Sequence, residues 1–242
     1  MDANVVLRKD DGISKPVDEK LYQSLVGSLL YAALATRPDI QHAVSIVAKY
    51  NSAPSQAHLT AAKRILRYLN STKELSLCYE KDAENLTGFC DADYARDLDD
   101  RHSTSGYVFL LGKGAISWYS GKQKCVSTST AQAEYIALNH AIKEALFLRQ
   151  LRDEIGYNDE DPVTIMEDNR AALSIAKNPT FHSKAKHIDI CYHFAREAVS
   201  GGKVNLCFCG TADMVADIFT KPLARERFAK FRLDLGLRRF AS

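Results

Sequence analysis

The sequence predicts an α/β protein, a mixed five-stranded sheet flanked by helices and preceded by a small helical unit. Three observations predict it. Apolar residues recur at helical spacing from Tyr22 to Leu69. Short β-rich runs bounded by turn residues follow, between Leu86 and Tyr119. Beyond Thr130 helical and strand-like periods alternate, the pattern of a sheet covered by helices.

Residues 1–17 are polar, carry Gly12 and Pro16, and read as a tail or the end of something cut away. Tyr22 to Leu34 is a first helix, and Arg37-Pro38-Asp39 punctuates it. Pro38 suits the first turn of a second helix, Asp39 to Tyr50, because the missing N–H is not needed there. Pro54 opens a third, which holds Leu59, Ile65, Leu66 and Leu69. Residues 18–80 are therefore expected to form the helical unit. Leu86–Cys90, Gly106–Leu111 and Ala115–Tyr119 read as strands, with Gly112-Lys113-Gly114 as a hairpin turn. Thr130 is the expected N-cap of a long helix to about Ile155, in which Ala133, Ile136, Ala137, Ala141, Ala145, Leu148 and Leu151 repeat at helical spacing. Val163–Met166 is a fourth strand, Ala171–Ala176 and Ile188–Val199 are helices, and Val204–Phe208 is a fifth strand. A short helix over Ala212–Phe219 completes a unit spanning 84–223. A basic C-terminal helix is expected over 224–242, since Lys221 to Arg239 holds seven basic residues against Glu226 and Asp234.

An apolar content of 46% supports a real core across the 242 residues. A net charge of only +2 excludes a polycation, so contact with nucleic acid must come from local basic surface. The basic C-terminus, and Lys63, Arg64 and Arg67 on the third helix, read equally as solvated faces or as phosphate contacts. The six cysteines lack metal-site spacing and read as buried free thiols in a reducing compartment. The polar start MDANVVLRKDDG is no signal peptide, and no apolar run reaches the roughly 18 residues of a membrane span. The expectation is a soluble, intracellular protein with no membrane partner.

Four acidic residues carry the chemistry. Asp91 in FCDADYA and Asp168 in TIMEDNRAAL each end a strand-like run. Glu134 in STAQAEYIAL lies near the start of the long helix, and Asp217 in DMVADIFTKPL in the short helix after the last strand. Sites in open α/β sheets form beyond the carboxyl ends of parallel strands. If the first and fourth strands are neighbours, Asp91 and Asp168 lie side by side. Carboxylates packed together stay ionised only when cations hold them. Oxygen ligands without Cys or His favour Mg²⁺ or Mn²⁺ over zinc. Two such ions about 4 Å apart are the usual apparatus for cutting phosphodiesters. The structural alternatives are turn caps for the two aspartates and a helix-dipole partner for Glu134. Asp213 is expected on the same helical face as Asp217. Asp93 is expected to point away from Asp91, Glu167 to raise a neighbour's pKa, and Trp118 to pack.

From Leu86 to about Leu223 the chain resembles the ribonuclease H domain of copia-type LTR retrotransposon Pol polyproteins. DADYA, DRHSTSGYVFLLG, ISWYSGKQ, AEYIAL, EDNRAAL, NPTFHSKAKHIDICYHFARE and ADIFTKPL carry the likeness, in that order. Upstream, YQSLVGSLLYAALATRPDIQHAVSIVAKY and HLTAAKRILRYLNSTKELSLCYE resemble the thumb- or connection-like segment after the reverse-transcriptase palm. The resemblance implies a ribonuclease H-like sheet and metal ligands at Asp91, Glu134, Asp168 and Asp217. It implies two Mg²⁺ ions, with Mn²⁺ as the alternative, and endonucleolytic hydrolysis of the RNA strand of an RNA–DNA hybrid. Ser103, Thr104 and Ser105 are expected to donate to phosphates, and Asn169 to reach a 2′-OH. His182 or His187 is a candidate proton shuttle, with His187 near substrate, and Asp189 reads either as a helix cap or as a ligand. Tyr94, Arg96 and Ala131-Gln132 depart from the family pattern, and none of them removes a ligand. The implied partners are the hybrid, its backbone, and the palm region of a full polyprotein, whose Tyr-x-Asp-Asp signature is absent here. The implied location is the cytoplasm, in a virus-like particle for a full element. The rival reading is an inactive remnant acting at most as a nucleic-acid-binding module.

Overall fold

The computed structural model describes residues 7–9, 13, 15–81, 85–157, 161–177 and 186–239, and only the backbone of 186–192. Helix α1, Glu19–Ala35, begins where the Asp18 carboxylate accepts the N–H groups of Lys20 and Leu21. The second helix starts later than expected. Pro38–Ile40 is a 3₁₀ turn, and α2 runs Gln41–Ala48. Asp39 is buried at this turn, where Arg37 donates to both its oxygens at 2.9 and 2.8 Å and Tyr68 donates at 2.6 Å. Helix α3, Gln56–Ser71, opens on a capping box of Ser55 and His58. The three helices bury Tyr22, Val26, Leu29, Val44, Leu59 and Ile65 between them.

Strands β2 (Thr87–Asp93), β3 (Thr104–Leu111), β4 (Gly114–Lys122), β5 (Val163–Glu167) and β6 (Val204–Phe208) form one sheet, in the order β4-β3-β2-β5-β6. The β2–β3 and β3–β4 pairs are antiparallel, whereas β2–β5 and β5–β6 are parallel. The hairpin between β3 and β4 turns on Gly112 and Lys113, with φ of 58° and 57°. The expected mixed sheet is therefore present. Its first and fourth strands are neighbours, with Phe89 opposite Met166, so their carboxyl ends open side by side.

Helix α4, Thr130–Glu154, crosses one face and buries Tyr135, Leu138 and Ile142 against Cys90, Phe109 and Ile165. Its N-cap is Ser129, whose Oγ accepts the Gln132 N–H at 3.2 Å; Thr130, the expected cap, is the first helical residue. Helices α5 (Arg170–Lys177) and α6 (Lys186–Ser200) lie between β5 and β6 in sequence, and both contact α4.

The expected helix over Ala212–Phe219 is instead two 3₁₀ turns, Thr211–Asp213 and Val215–Phe219, broken at Met214 where ψ is 90°. Helix α7, Arg225–Asp234, follows. Its Phe231, with Leu235 just beyond it, joins Val108, Ala115, Ile218 and Phe219 in a second core on the other face. The C-terminal helix expected as a separate basic element is thus basic outside and part of the sheet's packing inside. Strand β7, Leu237–Arg239, pairs antiparallel with β1, Leu75–Leu77, and ties the chain's end to the exit of the helical unit. That pair was not anticipated from the sequence.

The helical unit packs on the sheet. Trp118 on β4 donates to the Ala33 carbonyl at 2.9 Å, and the Ser45 and Ser120 hydroxyls lie 3.2 Å apart. Trp118 packs, as expected. No helix among the described residues is long and apolar enough to cross a membrane.

Candidate active site

Asp91 on β2 lies opposite Gly106 on β3. A Cβ at Gly106 would fall 2.7 Å from Phe219 Cβ and 2.7 Å from Thr220 Cγ2. Only glycine lets the 215–220 segment lie this close to the sheet across from Asp91. The seated segment brings the Thr220 hydroxyl to donate to Asp91 Oδ2, and it sets Asp217 nearby, fully buried. Lys221 bridges the two acids, with Nζ 2.7 Å from Asp217 Oδ1 and 3.5 Å from Asp91 Oδ2. The guanidinium of Arg227 pairs with the other Asp217 oxygen.

Asp168 follows β5, and its Oδ2 accepts a hydrogen bond from Thr211 Oγ1 at 2.8 Å. Glu134 reaches the same place from the second turn of α4. Asp91, Glu134 and Asp168 each offer an oxygen, and these oxygens lie within 4.8 Å of one another. Glu134 Oε2 is buried with no hydrogen-bond partner among the described residues. Such an orphaned oxygen facing two other carboxylates is the donor set of a hard divalent cation, so the residues fit Mg²⁺ or Mn²⁺. The fourth sequence candidate, Asp217, stands outside this triad, and its oxygens are ion-paired with Lys221 and Arg227.

The electrostatics follow from burial. Glu134 is pushed up to about 10, chiefly by desolvation and then by Glu167, Asp91 and Asp168. Glu167 is fully buried and raised to about 8 by desolvation, against the Cys90 thiol at 3.2 Å and the Asn169 N–H at 3.0 Å, which favour its charged form. Asp217 is raised to about 7 by burial and by Asp91, against the pull of Lys221 and Arg227. Without a cation this pocket retains protons that exposed carboxyls would have lost.

Other candidates fall elsewhere. Ser103 and Ser105 are buried; Ser103 Oγ accepts the Ala95 N–H and Ser105 Oγ accepts from Gln123 Nε2. Thr104 is also buried, so all three hydroxyl residues expected to donate to phosphates lie inside the fold. Asn169 Oδ1 caps α5 by accepting from Ala171 and Ala172. His187 and Asp189 lie in α6, with side chains outside the described residues, and His182 lies outside them altogether. Asp213 does not share a helical face with Asp217, because Met214 breaks the segment; it is exposed and paired with Lys230. Asp93 does not point away from Asp91: positions two apart on a strand share a face, and Asp93 leans toward Arg96 at 3.4 Å. The five described cysteines are free, as expected, but only Cys90 is buried; Cys78, Cys125, Cys207 and Cys209 are partly exposed. Thr220, Lys221 and Arg227 were missed as site residues. The signal for Lys221 was its i,i+4 spacing from Asp217 within the FTKPL motif.

The strand order and the carboxylates gathered at the mouth of β2 and β5 define a ribonuclease H-type fold. No protein-family model matches the chain. The retrovirus-related Pol polyprotein from transposon TNT 1-94 of Nicotiana tabacum is 42% identical over 216 residues, 89% of this chain and 16% of that polyprotein. Among solved structures, LC11-RNase H1 in complex with an RNA/DNA hybrid aligns with a TM-score of 0.42 at 14% identity, over 56% of this chain and 94% of that one. The foamy viral protease-reverse transcriptase dRH in complex with double-stranded DNA aligns with a TM-score of 0.50 at 12% identity, over 86% of this chain and 33% of that one. The chain belongs to the copia-type retrotransposon Pol polyproteins, and it spans about one sixth of the length of that tobacco relative.

Proposed function

We propose that this chain hydrolyses the RNA strand of RNA–DNA hybrids, as the ribonuclease H portion of a Pol polyprotein. The convergence of Asp91, Glu134 and Asp168 oxygens within 4.8 Å carries the reading. These three residues would hold a first Mg²⁺, and Asp217 would contribute to a second once its cations yield. Bound there, Mg²⁺ supplies charge for the phosphoryl oxygens and lowers the pKa of water. The chain's own residues do the positioning. Thr220 orients Asp91, Thr211 orients Asp168, and the cap on α5 holds the backbone after Asp168 rigid. Burial raises Glu134, so holding a cation would require it to give up its proton, and metal binding would be coupled to proton release. Recognition would rest on the hybrid's minor-groove shape and its 2′-OH groups, not on base sequence.

The test is cleavage of a labelled hybrid in Mg²⁺, with EDTA and with Asp91→Asn and Asp168→Asn. The expected result is metal-dependent cutting of the RNA strand, lost by about a thousandfold or more in either variant. Mn²⁺ binding followed by electron paramagnetic resonance should weaken in the same variants. A folded protein that cuts in neither ion would leave the rival reading, a remnant that binds nucleic acid at most.

A further inference from the structure

A cavity of about 1140 Å³ lies between the helical unit and the C-terminal helix. Its floor is apolar, formed by Ile40, Ala43, Ile65, Ile218, Leu223 and Phe228. Its rim is basic. Arg64 and Arg67 come from α3, Arg225 and Arg232 from α7, and Lys221 stands at the end nearest the carboxylates. Asp39 is the acidic group among the described lining residues, and Arg37 neutralises it at 2.8 Å. The groove therefore presents a positive field over an apolar floor.

We propose that this groove is a second nucleic-acid site, which holds the single-stranded continuation of a hybrid engaged at the carboxylates. Three observations support that occupant. The cations come from two separate units that face each other, as a phosphate chain running between them requires. Lys221 lines the groove and also stands 3.5 Å from Asp91 Oδ2, so the groove adjoins the carboxylates from which a strand would leave. Tyr68 and Phe228 line it together, with ring centroids 5.7 Å apart and edge to face, which offers aromatic surface to unpaired bases. A paired duplex hides its bases and has no use for such a floor. The helical unit then acts as a substrate holder. The direction of the strand rests on the nuclease reading above; binding in the groove does not.

The test is fluorescence anisotropy in EDTA, with a blunt hybrid and with the same hybrid carrying a single-stranded extension of about eight nucleotides. Wild-type protein should bind the extended hybrid about tenfold tighter. The exposed pair Arg67→Glu with Arg225→Glu should abolish that preference. The milder Arg67→Gln with Arg225→Gln, checked for an unchanged Tm, should lower the slope of log K against log salt by about two. Equal binding of the two hybrids by the wild type, or an unchanged preference in the folded variants, overturns the proposal. Cleavage of the blunt hybrid in Mg²⁺ should survive both double variants. A wild type that prefers the extension but never cuts would sink the nuclease reading and leave the groove supported.

Discussion

Lys221 places an ammonium group where two carboxylates meet, and this decides how the pocket treats metal. Its charge offsets Asp91 and Asp217 while no ion is bound, and it competes with an ion for Asp217. Lys221→Met should therefore tighten Mn²⁺ binding by about tenfold, read by calorimetry, while lowering the Tm of the metal-free protein. Unchanged affinity would show that the ammonium does not contend for the site. A second residue-scale expectation concerns pH. Glu134 and Glu167 titrate near 4.5 when unfolded, and burial raises them to about 10 and 8 in the metal-free fold. As pH rises from 4.5 the unfolded chain loses protons that the folded chain keeps, so stability falls until the folded groups also ionise. The Tm in EDTA should decline from pH 5 to pH 8, less so in Glu134→Gln, and Mg²⁺ should oppose the decline. A flat profile, or one identical in the variant, would refute this. At this scale Asp91, Glu134 and Asp168 were legible because each stands in its own motif. Lys221 was missed, because its spacing from Asp217 is easily lost where it reads as one more cation in a basic run.

Among the elements, the 215–220 segment matters most to the site, and Gly106 admits it. Gly106→Ala should cost about 1–3 kcal/mol, since the new Cβ meets Phe219 and Thr220 at 2.7 Å. Hybrid cleavage should drop with it, as Thr220 moves off Asp91. Gly27→Ala, on α1 with no atom beyond its own helix backbone and chain neighbours within 4 Å of its new Cβ, should instead stabilise by about 0.5–1 kcal/mol. Chemical denaturation of the two variants side by side checks both signs; equal effects would show that the crowding at Gly106 is relieved without consequence. The helices α1, α3 and α4 and all five sheet strands were legible from period alone. The segment over Ala212–Phe219 was misread as a helix because Val215, Ile218 and Phe219 have α-helical spacing, while the segment is too short to sustain it once Met214 turns the chain.

Across the whole molecule, the helical unit and the sheet are joined through Trp118, Ser45 and the β1–β7 pair. Trp118, the single tryptophan, sits at that junction. Denaturant unfolding followed by Trp118 fluorescence and by far-ultraviolet circular dichroism should give coincident transitions. A fluorescence transition that clearly precedes the loss of helix would mean that the helical unit detaches on its own. The sequence by itself determined the order of the main helices and the five sheet strands, and the three carboxylates that meet, because periodicity and short motifs are local properties. The tertiary structure alone decided that Asp217 is held by Lys221 and Arg227, that α7 closes the second core, and that a basic groove joins the two units. Those depend on residues distant in the chain becoming neighbours, through contacts such as Gly106 with Phe219 and Leu75 with Arg239, which no local period records.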